Sequence, residues 1–201
     1  MNNIERIFTR DAKDFARRYI DYVAGVLRGI DAAEVGGFVA TLLDARERGA
    51  TVFFMGNGGS AATASHFAND LAIGTNSYGK PFRALSLADN QAIVTAVAND
   101  FGYQDVFERQ LRVLGRRGDV VVGISASGNS PNLLRAFEAA REMGIKTVAI
   151  TAFDGGRMKA AADEGIHVVT GPKEYGPAED AHMLLDHLVG AYLMNLVKAG
   201  G

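Results

Sequence analysis

Five near-continuous apolar runs, at 51–55, 82–87, 119–124, 146–151 and 166–169, recur along this chain, with helix-patterned segments between them. Buried strands that alternate with helices assemble into a parallel sheet. Before the first run, Phe15, Tyr19, Tyr22, Val23, Val26 and Leu27 recur at helical spacing within 3–28. Val35, Phe38, Val39, Leu42 and Leu43 do the same within 32–48. Gly36-Gly37 weakens that second helix. Further helices are expected over 61–73, 90–98, 104–114 and 131–143. A short one follows the turn Asp154-Gly155-Gly156, and a last one spans 177–198. Pro131 fits a first helical position behind Ser130 as N-cap, and Gly144 supplies the stop. At 201 residues the expected organisation is a single domain. Its N-terminal helices occupy 1–48, an α/β core 51–170, and a C-terminal helix 177–198.

Two turns stand out within this frame. Gly56-Asn57-Gly58-Gly59-Ser60 follows the first run, and Ser125-Ala126-Ser127-Gly128-Asn129-Ser130 follows the third; each opens a helix. Glycines let a backbone approach an anion closely, while serine hydroxyls and helix N-terminal N–H groups donate to it. In open parallel sheets ligands bind at the carboxyl ends of the strands, where both turns fall. The pair points to a phosphorylated small molecule held between them. The first turn also fits a dinucleotide fingerprint, Gly56-x-Gly58-x-x-Ala61. That fingerprint needs an acidic residue at the end of the next strand. The next strand ends near Leu87, and Asp89 lies too far on, so no nucleotide cofactor is expected.

The formal net charge of −2 and well-mixed charges argue against nucleic-acid binding. No apolar run approaches a membrane span of about 20 residues. The N-terminal charges do not suit a signal peptide. With no cysteine there is no disulfide and no thiolate metal site, which fits a cytoplasmic protein.

Only four histidines occur, and three lie on two helices. His66 and Asp70, four apart, share a face of the first. Glu179, His182, Asp186 and His187 cluster on the last, where an ordinary solvated face would also carry charge. His167, inside the fifth run, reads as structural. If the two helices converge, their imidazoles and carboxylates form either a divalent-metal site, for zinc as an example, or a general acid–base pair. Proton transfer between adjacent sugar carbons needs such a pair, with donors or a metal to stabilise the enediolate.

The segment Met55-Gly-Asn-Gly-Gly-Ser-Ala-Ala-Thr-Ala-Ser-His-Phe-Ala68 resembles the sugar isomerase (SIS) domain family, in its phosphoheptose isomerase branch. So do Ala98-Asn-Asp-Phe-Gly102, Gly123-Ile-Ser-Ala-Ser-Gly-Asn-Ser130 and Thr151-Ala-Phe-Asp-Gly-Gly156, and the similarity covers nearly the whole chain. The resemblance implies a flavodoxin-like three-layer α/β/α sandwich with a five-stranded parallel sheet. It implies a homotetramer packed through the N-terminal helices, with active sites at subunit contacts. It also implies conversion of sedoheptulose 7-phosphate to D-glycero-D-manno-heptose 7-phosphate through a cis-enediolate, with zinc, one per subunit, as the metal.

By the same resemblance Asn57, Gly58, Gly59, Asn99 and Asp100 touch substrate. Ser125, Ala126, Ser127 and Ser130 cradle phosphate, and Ser60 lines the pocket. His66 falls on a zinc ligand, and Asp70 on the family's base-and-ligand glutamate. Glu179 falls on a glutamine that touches substrate and metal, and His187 on the acid–base or ligand histidine. The metal set is therefore His66, Asp70, Glu179 and His187, and the catalytic set Asp70, Glu179 and His187. The chain departs from the family at four points. Asp70 is one methylene shorter than the glutamate, and Glu179 replaces a neutral side chain. Gly74 stands where an arginine often follows, and Ala126 replaces a common threonine. These changes allow Glu179 to act as base while Asp70 holds metal or water. They also leave open a different sugar phosphate, or a non-catalytic phosphosugar-binding or scaffold protein.

Overall fold

A computed structural model describes residues 2–200. The five strands are β1 (Thr51–Gly56), β2 (Arg83–Ser86), β3 (Val120–Ser125), β4 (Lys146–Thr151) and β5 (Glu164–His167). They form one all-parallel sheet in the order β2-β1-β3-β4-β5. Side chains alternate across each strand. Val52, Phe54, Val120, Val122, Ile124, Val148 and Ile150 face one core, and Phe53, Met55, Val121 and Ala149 face the other. The first core is covered by α2 (Ala12–Arg28), α3 (Ala32–Arg48), α4 (Gly59–Asn69) and α9 (Tyr175–Lys198). The second is covered by α6 (Glu108–Leu114), α7 (Pro131–Met143) and α8 (Gly156–Ala161), with α5 (Gln91–Asp100) packed at its margin. Helices on both faces of a parallel sheet make the three-layer α/β/α sandwich that the sequence predicts.

Aromatic packing fixes α4 on this sheet. Phe67 stacks on Phe54 of β1 with ring centroids 5.1 Å apart, and meets Phe38 of α3 edge-on at 6.0 Å. That anchor sets the position of His66, the next residue back. From β1 the chain crosses to β2 on one side and returns to β3 on the other. The crossovers therefore diverge between β1 and β3, and a crevice opens at the carboxyl ends of these two strands. Register places Gly56 opposite Ile124, so both glycine–serine turns leave the sheet at one level.

Several boundaries differ from expectation. The helix expected over 3–28 is two, α1 (Asn3–Ile7) and α2. Asn2 closes a capping box with Glu5, and Asp11 accepts from the Lys13 N–H at 3.0 Å, so each caps its own helix. The helix expected over 104–114 breaks after a 3₁₀ turn at Tyr103–Asp105, because buried Val106 and Phe107 carry the chain into the second core. β5 begins two residues early. The Thr147 N–H and hydroxyl both donate to the Asp163 carboxylate, at 2.8 and 2.9 Å, which pins the start of β5 beside β4. The helix expected to end at 73 stops at Asn69 and passes into a π-helical turn, Asp70–Gly74, in which the Thr75 N–H donates to the Asp70 carbonyl. Gly36 and Gly37 do not interrupt α3, since Phe38, Leu42 and Ala45 bury on the first core.

Candidate active site

The first turn is built by close approach. A Cβ on Gly56 would sit 2.6 Å from the Ser60 carbonyl carbon, and Gly58 takes the left-handed φ of 55° as α4 begins. Asn57 is held from both sides of the crevice. Its amide exchanges two hydrogen bonds with that of Asn132 on α7, at 3.0 and 2.8 Å, and its Oδ1 also accepts from the Tyr103 hydroxyl at 2.9 Å. These bonds tie the first turn to the helix that follows the second.

The second turn closes on itself. The Gly128 N–H donates to Ser125 Oγ at 3.1 Å, and the Asn129 N–H donates to Ser127 Oγ at 3.3 Å. Gly128 has φ 61°, and a Cβ there would lie 2.7 Å from the Gly155 carbonyl carbon, so this turn docks on the Asp154-Gly155-Gly156 turn. Ser130 occupies the N-cap position of α7, as its sequence context predicts, but its side chain makes no capping hydrogen bond. That hydroxyl, unused as a cap, stands at a helix N-terminus whose dipole favours anions.

Between the turns lies a cavity of about 150 Å³, lined by Asn57, Ser60, Ile124, Ser125, Ala126, Ser127, Ser130, Tyr175 and Glu179. It shares Ser127 and Tyr175 with a wider recess of about 520 Å³ that Asn129, Phe153, Asp154, Thr170, Pro172 and Lys173 complete. Six of the expected substrate-side residues therefore meet on one cavity with Glu179. Gly58 lines neither cavity, and Gly59 meets the first through Glu179. A Cβ on Gly59 would lie 2.5 Å from the Glu179 Cδ, so that glycine is what lets the carboxylate in. Asn99 and Asp100 end α5 on an exposed surface, bonded to each other at 2.8 Å, and line neither cavity.

A second constellation sits where α4 passes α9. One ligating atom from each of His66, Asp70, Asp186 and His187 lies within 4.8 Å of the others. His66 Nδ1 is 2.5 Å from Asp186 Oδ2 and 3.6 Å from Asp70 Oδ2. The His66 and His187 rings meet edge to face, with centroids 5.0 Å apart. Gly190, one turn beyond Asp186, carries no side chain at the point where Asp70 approaches α9. Asp186 is fully buried, and its Oδ1 has no hydrogen-bond partner. Burial pushes its carboxyl up to about 6; the His66 hydrogen bond opposes that shift and the Asp70 charge adds to it. The two imidazoles and the Asp70 carboxylate, backed by the buried Asp186 carboxylate, are a donor set that fits a divalent cation. Glu179 does not belong to this group. Its carboxylate lies instead at Gly59 on the substrate-side cavity.

Sequence reasoning put Asp186 in the polar cluster of the last helix but in neither the metal nor the catalytic set, and left Tyr175 out altogether. Asp186 interrupts the buried stripe Ala178, Ala181, Leu185, Val189 and Leu193, and a charge inside an apolar stripe was the available signal. Tyr175 lies ahead of the expected helix start, and α9 begins two residues earlier than the sequence predicts. Both ring nitrogens of His182, on the same buried stripe, are enclosed, with the Thr151 backbone as a polar neighbour. Burial holds it well below the ordinary histidine range, at about 4. His167 is bound into the sheet edge, with Nδ1 3.1 Å from the Thr151 hydroxyl and its N–H donating to Glu34 at 2.8 Å.

A three-layer α/β/α sandwich with two glycine–serine turns at its switch point is the class that the fold defines. The SIS domain family matches residues 18–152. The chain belongs to that family, in its phosphoheptose isomerase branch. It is 35% identical over 188 residues to a phosphoheptose isomerase of Aromatoleum aromaticum, covering 93% of this chain and 92% of that one. It is 44% identical over 147 residues to the phosphoheptose isomerase of Akkermansia muciniphila, covering 73% and 76%. Among solved structures, phosphoheptose isomerase from Neisseria gonorrhoeae superposes with a TM-score of 0.81 at 30% identity, covering 90% of this chain and 97% of that one.

Proposed function

We propose that this chain is an aldose–ketose isomerase that converts sedoheptulose 7-phosphate to D-glycero-D-manno-heptose 7-phosphate. The observation that carries the reading is the placement of Glu179 on the same cavity as Ser125, Ser127 and Ser130. A phosphate on the second turn accepts bonds from these hydroxyls and from the first N–H groups of α7. The sugar then runs toward the first turn, where Asn57 and Ser60 face it.

The ketose carries its carbonyl at carbon 2. Glu179 takes a proton from carbon 1, the electron pair moves toward the carbonyl oxygen, and that oxygen is protonated, giving a cis-enediol. His187, when it holds no metal, supplies that proton and later removes one from the oxygen on carbon 1. Glu179, whose proton exchanges with water while the enediol is held, protonates carbon 2, and the aldose forms. Of the two carboxylates only Glu179 lines the cavity, which favours it over Asp70 as the base.

The residues that would hold a divalent ion such as zinc are His66, Asp70 and His187, and Glu179 stands apart from them on the cavity between the turns. Three protein ligands leave the open position that catalytic sites keep. When bound, the ion supplies positive charge that stabilises an enediolate.

We place the enzyme in the cytoplasm, where a sugar phosphate too charged to cross a membrane is made and kept. We take it to be a homotetramer. Exposed Ile20 on α2 and Leu188 and Tyr192 on α9 support packing through these helices, and analytical ultracentrifugation reads the mass. The test of function is NMR of sedoheptulose 7-phosphate with metal-stripped and zinc-loaded protein, alongside unphosphorylated sedoheptulose. The phosphorylated ketose is expected to give aldose and the free sugar none. Equal turnover of both would remove the phosphate cradle from the reading, and turnover of neither would remove the isomerase.

A further inference from the structure

Asp186 and His187 are adjacent on α9, so their side chains leave the helix about 100° apart. Asp186 turns inward and is 0% exposed; His187 turns outward. His66, half-exposed on α4, lies between them, with its Nδ1 on the Asp186 carboxylate and its ring edge-on to His187. The buried carboxylate therefore stands behind the imidazole, away from the open side of the cluster. Its contact is made to one ring nitrogen, Nδ1, and among the described residues no hydrogen bond is made to the other, Nε2.

We propose that Asp186 is a positioning residue of this site. Its buried carboxylate accepts the Nδ1 proton of His66, fixes the imidazole as the Nδ1–H tautomer, and presents the Nε2 lone pair to a divalent cation or to substrate. An ionised carboxylate only accepts hydrogen bonds, so the proton on the shared edge must be the imidazole's. Carboxylates that hold a ligating histidine in this way raise its basicity and fix its plane, and their removal weakens metal binding by about 10–100-fold. The π-helical turn beginning at Asp70 brings a second carboxylate within 3.6 Å of the same nitrogen, but at a longer distance and on a side chain that remains partly exposed. The shorter contact from the fully buried side chain is the one that sets the ring.

The assignment takes from the isomerase reading only the purpose of His66. Its test uses no sugar, so it stands or falls apart from that reading. Metal-free, nitrogen-15-labelled protein is examined by long-range proton–nitrogen NMR at a pH where imidazoles are neutral. The expected result is His66 protonated on Nδ1, and protonation on Nε2 overturns the proposal in the unaltered protein. Asp186→Asn, whose amide can donate to Nδ1 as well as accept from it, is expected to mix or invert the tautomer. Titration of the full chain with zinc ion against a chromophoric chelator is expected to show affinity lowered by about 10–100-fold, with the ion-to-chain ratio unchanged. A smaller drop makes the hydrogen bond merely structural, and a larger drop with loss of stoichiometry makes Asp186 a direct ligand; either result refutes positioning. If Asp186→Asn does not fold, the tautomer of the unaltered protein decides.

Discussion

Gly59→Ala separates the fold from the chemistry. Gly59 is the first residue of α4, and its backbone is one that alanine adopts freely. Alanine is also the better helix former, by up to about 1 kcal/mol. The added Cβ would lie 2.5 Å from the Glu179 Cδ and 2.6 Å from Oε1, with no backbone atom among its nearest neighbours. Ordinary van der Waals contact begins at 3.4 Å, so the carboxylate must withdraw by about 1 Å, and a flexible glutamate can do so. A 1 Å misplacement of a catalytic group costs about 10²-fold in rate. That is about 2.7 kcal/mol on the barrier. The expected result is a kcat lowered about 100-fold with thermal stability within about 1 kcal/mol of wild type, read by NMR turnover and calorimetry. Glu179→Gln alone is expected to lower kcat by about 10²–10⁴-fold, the range for a lost general base. Adding Gly59→Ala to it should cost nothing further, because both changes act through one carboxylate. Full activity in Gly59→Ala, or additive losses in the double variant, would refute the role given to Glu179.

Ser130→Ala removes a hydroxyl that caps nothing, so stability is expected to hold within about 0.5 kcal/mol. Loss of a hydrogen bond to phosphate should cost about 1.5–3 kcal/mol, a drop of about 10–150-fold in kcat/KM. His182 gives a pH dependence. Its folded value, about 4, lies below the ordinary 6.5, so its contribution is present above pH 6.5 and is lost as pH falls toward 4. The shift corresponds to about 3 kcal/mol, so wild type should lose about that much more stability than His182→Leu between pH 6.5 and 4 in denaturant titrations. Parallel curves for the two proteins would count against it. Phe67→Ala, which empties the stack on Phe54, should destabilise by about 3–5 kcal/mol, read the same way.

The alternation of strands and helices was legible because a strand buried on both faces leaves an apolar run that local patterning shows directly. Both turns were legible for a similar reason: Gly56, Gly58 and Gly128 are required by local geometry. The approach of His66 to His187 was half legible. Spacing put each on a helix face, but only packing on Phe54 and Phe38 brings α4 beside α9. Asp186 was legible as a charge inside an apolar stripe but not by its role, since its partner is 120 residues away. The same limit applies to Glu179. Sequence grouped it with His187 two turns away, whereas the structure turns its carboxylate to Gly59. Breaks at 8–11 and within 104–114 escaped periodicity because caps and buried aromatic residues, rather than spacing, end those helices.

The most direct test of the central claim is the isomerisation of sedoheptulose 7-phosphate in deuterated water, followed by NMR of the aldose. Proton transfer through Glu179 and an enediol places solvent-derived deuterium at carbon 2 of the product, and Glu179→Gln should suppress both its formation and the exchange. Aldose formed without deuterium at carbon 2, at an undiminished rate in Glu179→Gln, would contradict the mechanism.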